Sequence, residues 1–323
     1  MVLSHGPWIM KIVNPEGYAK VNRTDRINGK RQLKTMHLLL IGLLGLQLAA
    51  CAGVPEPAKR KSDAVSAAPA GFHADYLETH EFKLFALLPE NMRVSEDGIL
   101  TVLIEGDGFA YLRRDRASDD PTPLSQTVIE LLPRDGRSNV VYLARPCQFT
   151  GHTDAACDVS VWTLARYSER VIDTMDEAVT LLKTSAHATK LRLIGYSGGG
   201  VVAALLSARR ADVVSLVTIA APLDTDAFVA VHSVSPLDGS LNPRDFAQEL
   251  STMPQVHFVG EQDKIVPRQI LESYLAALPN KACAEIVTVS GASHGSGWSM
   301  ISPMPVDQQP ACHLVHAKQG FVP

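Results

Sequence analysis

No stretch of this chain resembles the basic patch of a nucleic-acid-binding protein. The arginine pairs at 113–114 and 209–210 stand alone, and the 323 residues carry a net charge of −4. That excludes the basic patch on which nucleic-acid binding rests. No apolar run reaches the roughly 20 residues that a membrane-spanning helix needs. The five cysteines include no C-x-x-C pair, which removes the usual structural zinc site. No internal repeat exists, so a solenoid or propeller is excluded. What remains is an ordinary globular balance, 46% apolar and 20% charged, enough to fill one sizeable core.

The apolar run that is present, LLLIGLLGLQLAA at 38–50, follows Lys30, Arg31 and Lys34 and ends at Cys51. A basic flank, a short apolar core and small residues before a cleavage point describe an export signal. The ending Leu48-Ala49-Ala50-Cys51 resembles the lipobox of bacterial lipoproteins, whose cysteine is diacylated and becomes the mature N-terminus. The other reading is a plain secretory signal ending near a cysteine. Residues 36–50 are thus expected to be a lipoprotein signal peptide. Residues 1–35, polar and aperiodic, are an extended leader or follow a start codon assigned too early. In lipoproteins Ala52 after the cysteine implies outer-membrane delivery, facing the periplasm of a bacterial envelope. The Ala, Pro, Lys and Ser-rich segment 51–75 is expected to be a tether, and 76–323 the folded domain.

Beyond Cys51 four cysteines remain, Cys147, Cys157, Cys283 and Cys312. An even number in an oxidising compartment permits two disulfides. Pairing Cys147 with Cys157 closes a short loop, and Cys283 with Cys312 ties down the tail; four buried thiols are the alternative. From about residue 76, strands and helices alternate, as in a mainly parallel sheet with helices on both faces. Short, nearly continuous apolar runs place strands at 81–88, 99–105, 140–144, 190–195, 213–219, 255–260 and 285–289. A helix is expected over 162–183, with Leu164, Val171, Met175, Ala178 and Leu182 as its buried stripe. A second is expected over 199–210. Residues 221–254 form a longer connection, either a small lid or an elaborated crossover.

Gly195-Tyr196-Ser197-Gly198-Gly199 has the G-x-S-x-G form, preceded by an apolar strand and followed by a small-residue helix. A serine in a tight strand-to-helix turn projects its hydroxyl above the sheet edge, and its neighbours must be small for strand and helix to approach. A serine hydroxyl also needs a base. Of eleven histidines, His294 lies in the loop after the last predicted strand, whereas His257 lies within a strand. The imidazole needs a carboxylate. Asp263 follows a strand by three residues and completes a Ser…Asp…His order, with Glu261 and Asp224 as rivals. For the oxyanion, one N–H donor is expected at Gly198 and the second at Gly108 or Phe109, in the loop LIEGDGF. Glu105 and Asp107 in that loop either hold it through hydrogen bonds or meet a cationic substrate. Trp162 and Trp298 are candidates for pocket lining or core.

Through these features the chain resembles the α/β-hydrolase superfamily over about residues 80–300. More narrowly it is similar to a group of bacterial lipoproteins of that fold. That likeness rests on EGDG at 105–108, DPTP at 120–123, ARPCQ at 144–148, WTLARYS at 162–168, GYSGGG at 195–200 and GEQDKIVP at 260–267. The resemblance implies an α/β-hydrolase fold, triad positions at Ser197, Asp263 and His294, and a Cys147–Cys157 disulfide. The resemblance supplies no substrate, since the superfamily hosts many chemistries; the triad itself is read as hydrolysing an ester or related acyl bond of a small substrate, with no metal or organic cofactor implied. Where common lipases and esterases carry His-Gly-Gly-Gly, this chain carries Glu105-Gly106-Asp107-Gly108, which leaves the second oxyanion donor open. A serine peptidase or amidase and a non-catalytic envelope lipoprotein are the alternative functions.

Overall fold

The computed structural model describes residues 53–94, 96–135, 138–151, 155–301 and 312. The chain divides into units 1–54 and 55–323, and the fold is that of the second. The expected leader, signal peptide and lipidation site at Cys51 lie outside the described residues.

Eight strands make one sheet: β1 (Phe72–Glu78), β2 (Lys83–Pro89), β3 (Ile99–Ile104), β4 (Val140–Leu143), β5 (Lys190–Tyr196), β6 (Val213–Ile219), β7 (Gln255–Gly260) and β8 (Ala284–Val289). Their order is β1-β2-β4-β3-β5-β6-β7-β8. The strands from β4 to β8 are mutually parallel, while β2 runs antiparallel to both β1 and β4. The helices are α1 (Pro57–Ala67), α2 (Glu169–Ser185), α3 (Gly198–Arg209), α4 (Thr225–His232), α5 (Ala247–Leu250) and α6 (Arg268–Ala277).

The interiors of the six strands β2 to β7 are buried on both faces, which is why their sequences read as apolar runs. On one face Leu100, Val102, Leu143 and Leu193 pack against Val171, Met175 and Leu182 of α2 and the apolar stretch Val201–Leu206 of α3. On the other, Phe85, Leu87, Leu103 and Tyr142 pack with Ala64 of α1, Ile129, Leu131 and Trp298. Three-residue and four-residue turns of 3₁₀ helix, rather than long helices, cover much of that second face.

Two expectations need correction. The segment 51–75 is not an aperiodic tether: α1 occupies Pro57–Ala67, and β1 starts at Phe72. Its polar composition hides the helix, which is held by only two buried residues, Arg60 and Ala64. Strand β1 is mostly solvent-facing and gains its conformation from seven registered pairs with the apolar β2. The helix expected over 162–183 begins only at Glu169. A 3₁₀ turn, Val159–Trp162, precedes it, and Leu164 is exposed instead of joining the stripe. Residues 163–168 leave the helical path so that Arg166 and Tyr167 reach the loop after β3.

The crossover 221–254 contains α4, a 3₁₀ turn at Pro243–Phe246 and α5. Hydrogen bonds from Leu241 N to Tyr167 O (3.0 Å) and from Tyr167 N to Ser240 Oγ (3.1 Å) join it to the segment before α2.

The chain leaves β3 toward β4 on one side, while β5 lies on the other. Order reverses there, and in open parallel sheets the crevice at the carboxyl ends of such strands receives ligands.

Candidate active site

Strand β5 ends in Tyr196, and α3 starts at Gly198, so Ser197 alone makes the turn. Its φ of 50° and ψ of −124° lie in a region that side chains avoid. The turn is held by Ser197 N donating to Ile219 O (2.8 Å) and Gly200 N donating to Ser197 O (2.9 Å). Glycine is obligatory around it. A Cβ on Gly195 would collide with the backbone of Gly199 and Gly200, and one on Gly199 with the carbonyls of Ile104 and Glu105.

His294 stands on the loop after β8, and its Nε2 lies 3.1 Å from Ser197 Oγ. Its Nδ1 lies 2.9 Å from Asp263 Oδ2. A carboxylate only accepts, so Nδ1 carries the proton and Nε2 faces the serine as an acceptor. The other oxygen of Asp263 accepts from Ile265 N and Val266 N, both at 2.8 Å. Burial pushes the Asp263 carboxyl up, but the His294 bond and charge and the two N–H groups outweigh it. The carboxyl is held below its ordinary value. The rivals serve elsewhere. Asp224 caps α4 through Ala227 N (3.0 Å) and accepts from Ser273 Oγ. Exposed Glu261 accepts from Ser290 Oγ (2.8 Å) and Gly291 N (2.9 Å). His257 is buried between Thr218 and Gln255, and burial drives its pKa down to about 3, a neutral core imidazole.

The loop after β3 faces the serine turn. Of the two residues expected to supply the second donor, Phe109 is corrected: its N–H is bonded to Pro121 O (3.0 Å). Gly106 N is taken by Glu105 Oε1 (2.8 Å). The N–H groups of Asp107 and Gly108 meet no acceptor among the described residues, nor does that of Gly198. Gly108 has φ of 64°, and a Cβ there would strike Pro121 O, so only glycine fits.

The two carboxylates of this loop hold it in place. Glu105 is buried; its Oε2 accepts from Tyr142 Oη (2.8 Å). Asp107 pairs with Arg145, with Arg166 at 2.7 Å and with Tyr167 Oη at 3.1 Å. Gln148 accepts from Arg145 N (3.0 Å) and donates to Gly106 O (2.9 Å). Thr122 Oγ1 accepts from Phe149 N (2.8 Å), and Asp120 Oδ1 from Thr122 N (2.8 Å). Thus EGDG, DPTP, ARPCQ and WTLARYS, spread over the 64 residues 105–168, meet in one network. Glu105 is closed to solvent, and Asp107, partly exposed, is already neutralised by two guanidiniums. Disulfides join Cys147 to Cys157 and Cys283 to Cys312, and the first braces the segment that carries Gln148.

Sequence reasoning named no role for Tyr142, Arg145, Gln148, Arg166, Tyr167 or Tyr196. The motifs containing most of them were visible, but their partners were not. Among the described residues, no three His, Cys, Asp or Glu side chains gather as a metal-holding group.

With a sheet of this order and a serine turn at its carboxyl edge, the chain has an α/β-hydrolase fold. Residues 135–294 match the family model described as Serine hydrolase (FSH1). No curated protein matches the chain. Among solved structures it is similar to the esterase Pf2001 of Pyrococcus furiosus, at 16% identity over 72% of this chain and 87% of that one, TM-score 0.48. It is also similar to an alpha-beta serine hydrolase homologue from Coxiella burnetii (14%, 69% and 89%, 0.45). A third is Est1E from Butyrivibrio proteoclasticus with ferulic acid bound (16%, 68% and 91%, 0.49).

Proposed function

We propose that this enzyme hydrolyses an ester or related acyl bond through an acyl-enzyme on Ser197. The observation that carries the reading is the unbroken relay of Ser197 Oγ, His294 and Asp263, at 3.1 and 2.9 Å. Ser197 Oγ attacks the acyl carbonyl while His294 Nε2 takes its proton. Asp263, kept ionised by its bonds, orients the imidazole and stabilises the imidazolium. The oxyanion meets Gly198 N–H, with the N–H groups of Asp107 and Gly108 opposite. His294 then returns the proton to the leaving alkoxide, and water, activated by the same imidazole, resolves the acyl-enzyme. Because Glu105 and Asp107 are occupied by the loop's own network, ester hydrolysis fits better than cleavage of a substrate recognised through its amine.

The lipobox-like ending at Cys51 supports a second part of the reading: the domain is lipid-anchored at the bacterial outer membrane, facing the periplasm.

The first test is labelling by a fluorescent fluorophosphonate, beside a Ser197→Ala variant. Labelling of the parent alone, together with turnover of 4-nitrophenyl esters, is the expected result. Absence of labelling in the parent sinks the reading and favours a binding role for the fold.

A further inference from the structure

At His294 itself, the backbone of the histidine loop is tied to neighbouring side chains through one carbonyl. The carbonyl of His294 accepts from the hydroxyl of Tyr196 and from Trp298 Nε1 (2.9 Å). The loop is fastened ahead of the histidine, by Gln262 N to Ala292 O (2.9 Å) and by Ser290 and Gly291 to Glu261, whereas from Ser293 onward the backbone bond is that of Ser293 N to Ser296 O within a short turn, and Gly297 takes a φ of 89°. Tyr196 approaches from the other side of the site. It is the last residue of β5, joined by one peptide bond to Ser197. Its ring lies 5.5 Å from the imidazole, centroid to centroid. The same ring backs the loop after β3, its Cδ1 lying 3.2 Å from where a Cβ on Gly106 would sit. One side chain therefore touches all three parts that must be in register for acyl transfer.

We propose that Tyr196 is a positioning residue: through its bond to the His294 carbonyl it sets the distance between imidazole and serine, with Trp298 as a second tie. The inference rests on the hydrolase reading above and deepens it. Proton transfer demands near-contact geometry, and a misplacement of about 1 Å costs on the order of a hundredfold in rate. The strained turn at Ser197 is rigid, whereas His294 depends on its loop, so the loop is the part that needs an external tie. Tyr196 is suited to the task. Burial first, and the charges of Glu105 and Asp263 next, push its hydroxyl up, so it stays a neutral donor.

The test is Tyr196→Phe in the full chain, which removes one oxygen and leaves the ring. The concentration dependence of fluorophosphonate labelling gives a maximal rate and an apparent affinity for each protein. The expected result is a maximal rate lowered about ten- to hundredfold, an affinity within about twofold, and a melting temperature close to the parent's. Trp298→Phe should lower the same rate, and the double variant should lower it further. A Tyr196→Phe rate within about twofold of the parent's overturns the inference while leaving the hydrolase reading intact. So does a loss shared between rate and affinity, or one explained by a parallel fall in folded protein. If the parent itself does not label, the hydrolase reading has failed, and this inference fails with it.

Discussion

Glu105 and Asp107 lie two residues apart in one loop, and their surroundings drive their carboxyls in opposite directions. Burial dominates at Glu105; the N–H of Gly106, the Tyr142 hydroxyl and the charge of Arg145 offset only part of it. Its pKa is raised from 4.5 to about 7. At Asp107 burial pushes the same way, but two guanidiniums, Arg166 first and then Arg145, win and hold it ionised. The difference has a consequence for stability. Between pH 4.5 and about 7 the folded chain keeps a proton at Glu105 that the unfolded chain has released. The stabilisation is complete below pH 4.5, falls as pH climbs through that window and is gone above it. Glu105→Gln should flatten this slope, reducing the pH 5 to 7.5 loss of unfolding free energy by about 2 kcal/mol. Urea denaturation of both proteins at the two pH values measures it. Equal slopes would show that Glu105 is ionised in the fold.

At the scale of elements, the instructive case is α1. Its eleven residues have a polar sequence that composition assigns to a linker, yet Arg60 is 4% exposed and paired with Asp120 at 3.2 Å. The same guanidinium donates to Thr122 O. The helix is thus a clamp on the DPTP segment, whose Pro121 carbonyl in turn holds Phe109 N. Arg60→Ala would leave the Asp120 carboxylate buried without its cation, a change that costs about 3 kcal/mol. The unfolding midpoint in urea checks it. A loss below about 0.5 kcal/mol would mean that α1 contributes no docking. The late start of α2 follows the same logic. Periodicity carried the helix back to residue 162, but side-chain demands of the loop network, through Arg166 and Tyr167, held residues 163–168 in another path.

For the whole molecule, the open question is where it resides. Among the described residues no helix is long and apolar enough to cross a membrane. If Cys51 is lipidated, the full chain should sediment with the membrane fraction of a bacterial host. A Cys51→Ser variant should then either stay uncleaved or move to the soluble fraction, without loss of fluorophosphonate labelling per folded molecule. A Cys51→Ser protein that is cleaved normally and still sediments with membranes would refute the anchor.

By itself the sequence determined the core strands and the serine turn, and it singled out Ser197, Asp263 and His294. These are short-range matters. A strand buried on both faces must be apolar throughout, and a turn this tight requires glycine two residues to either side of its serine. Position after successive strands pointed to the histidine and to Asp263, and the geometry set Asp263 apart from its rivals Glu261 and Asp224. Tertiary structure alone decided the rest. It decided that Phe109 N–H belongs to Pro121, that Glu105 and Asp107 serve the loop rather than a substrate, that α1 is part of the domain, and that Tyr196 reaches the carbonyl of His294. These outcomes depend on which polar groups satisfy one another across 12 to 98 residues of chain. A buried donor or acceptor must find a partner, but nothing local says which one.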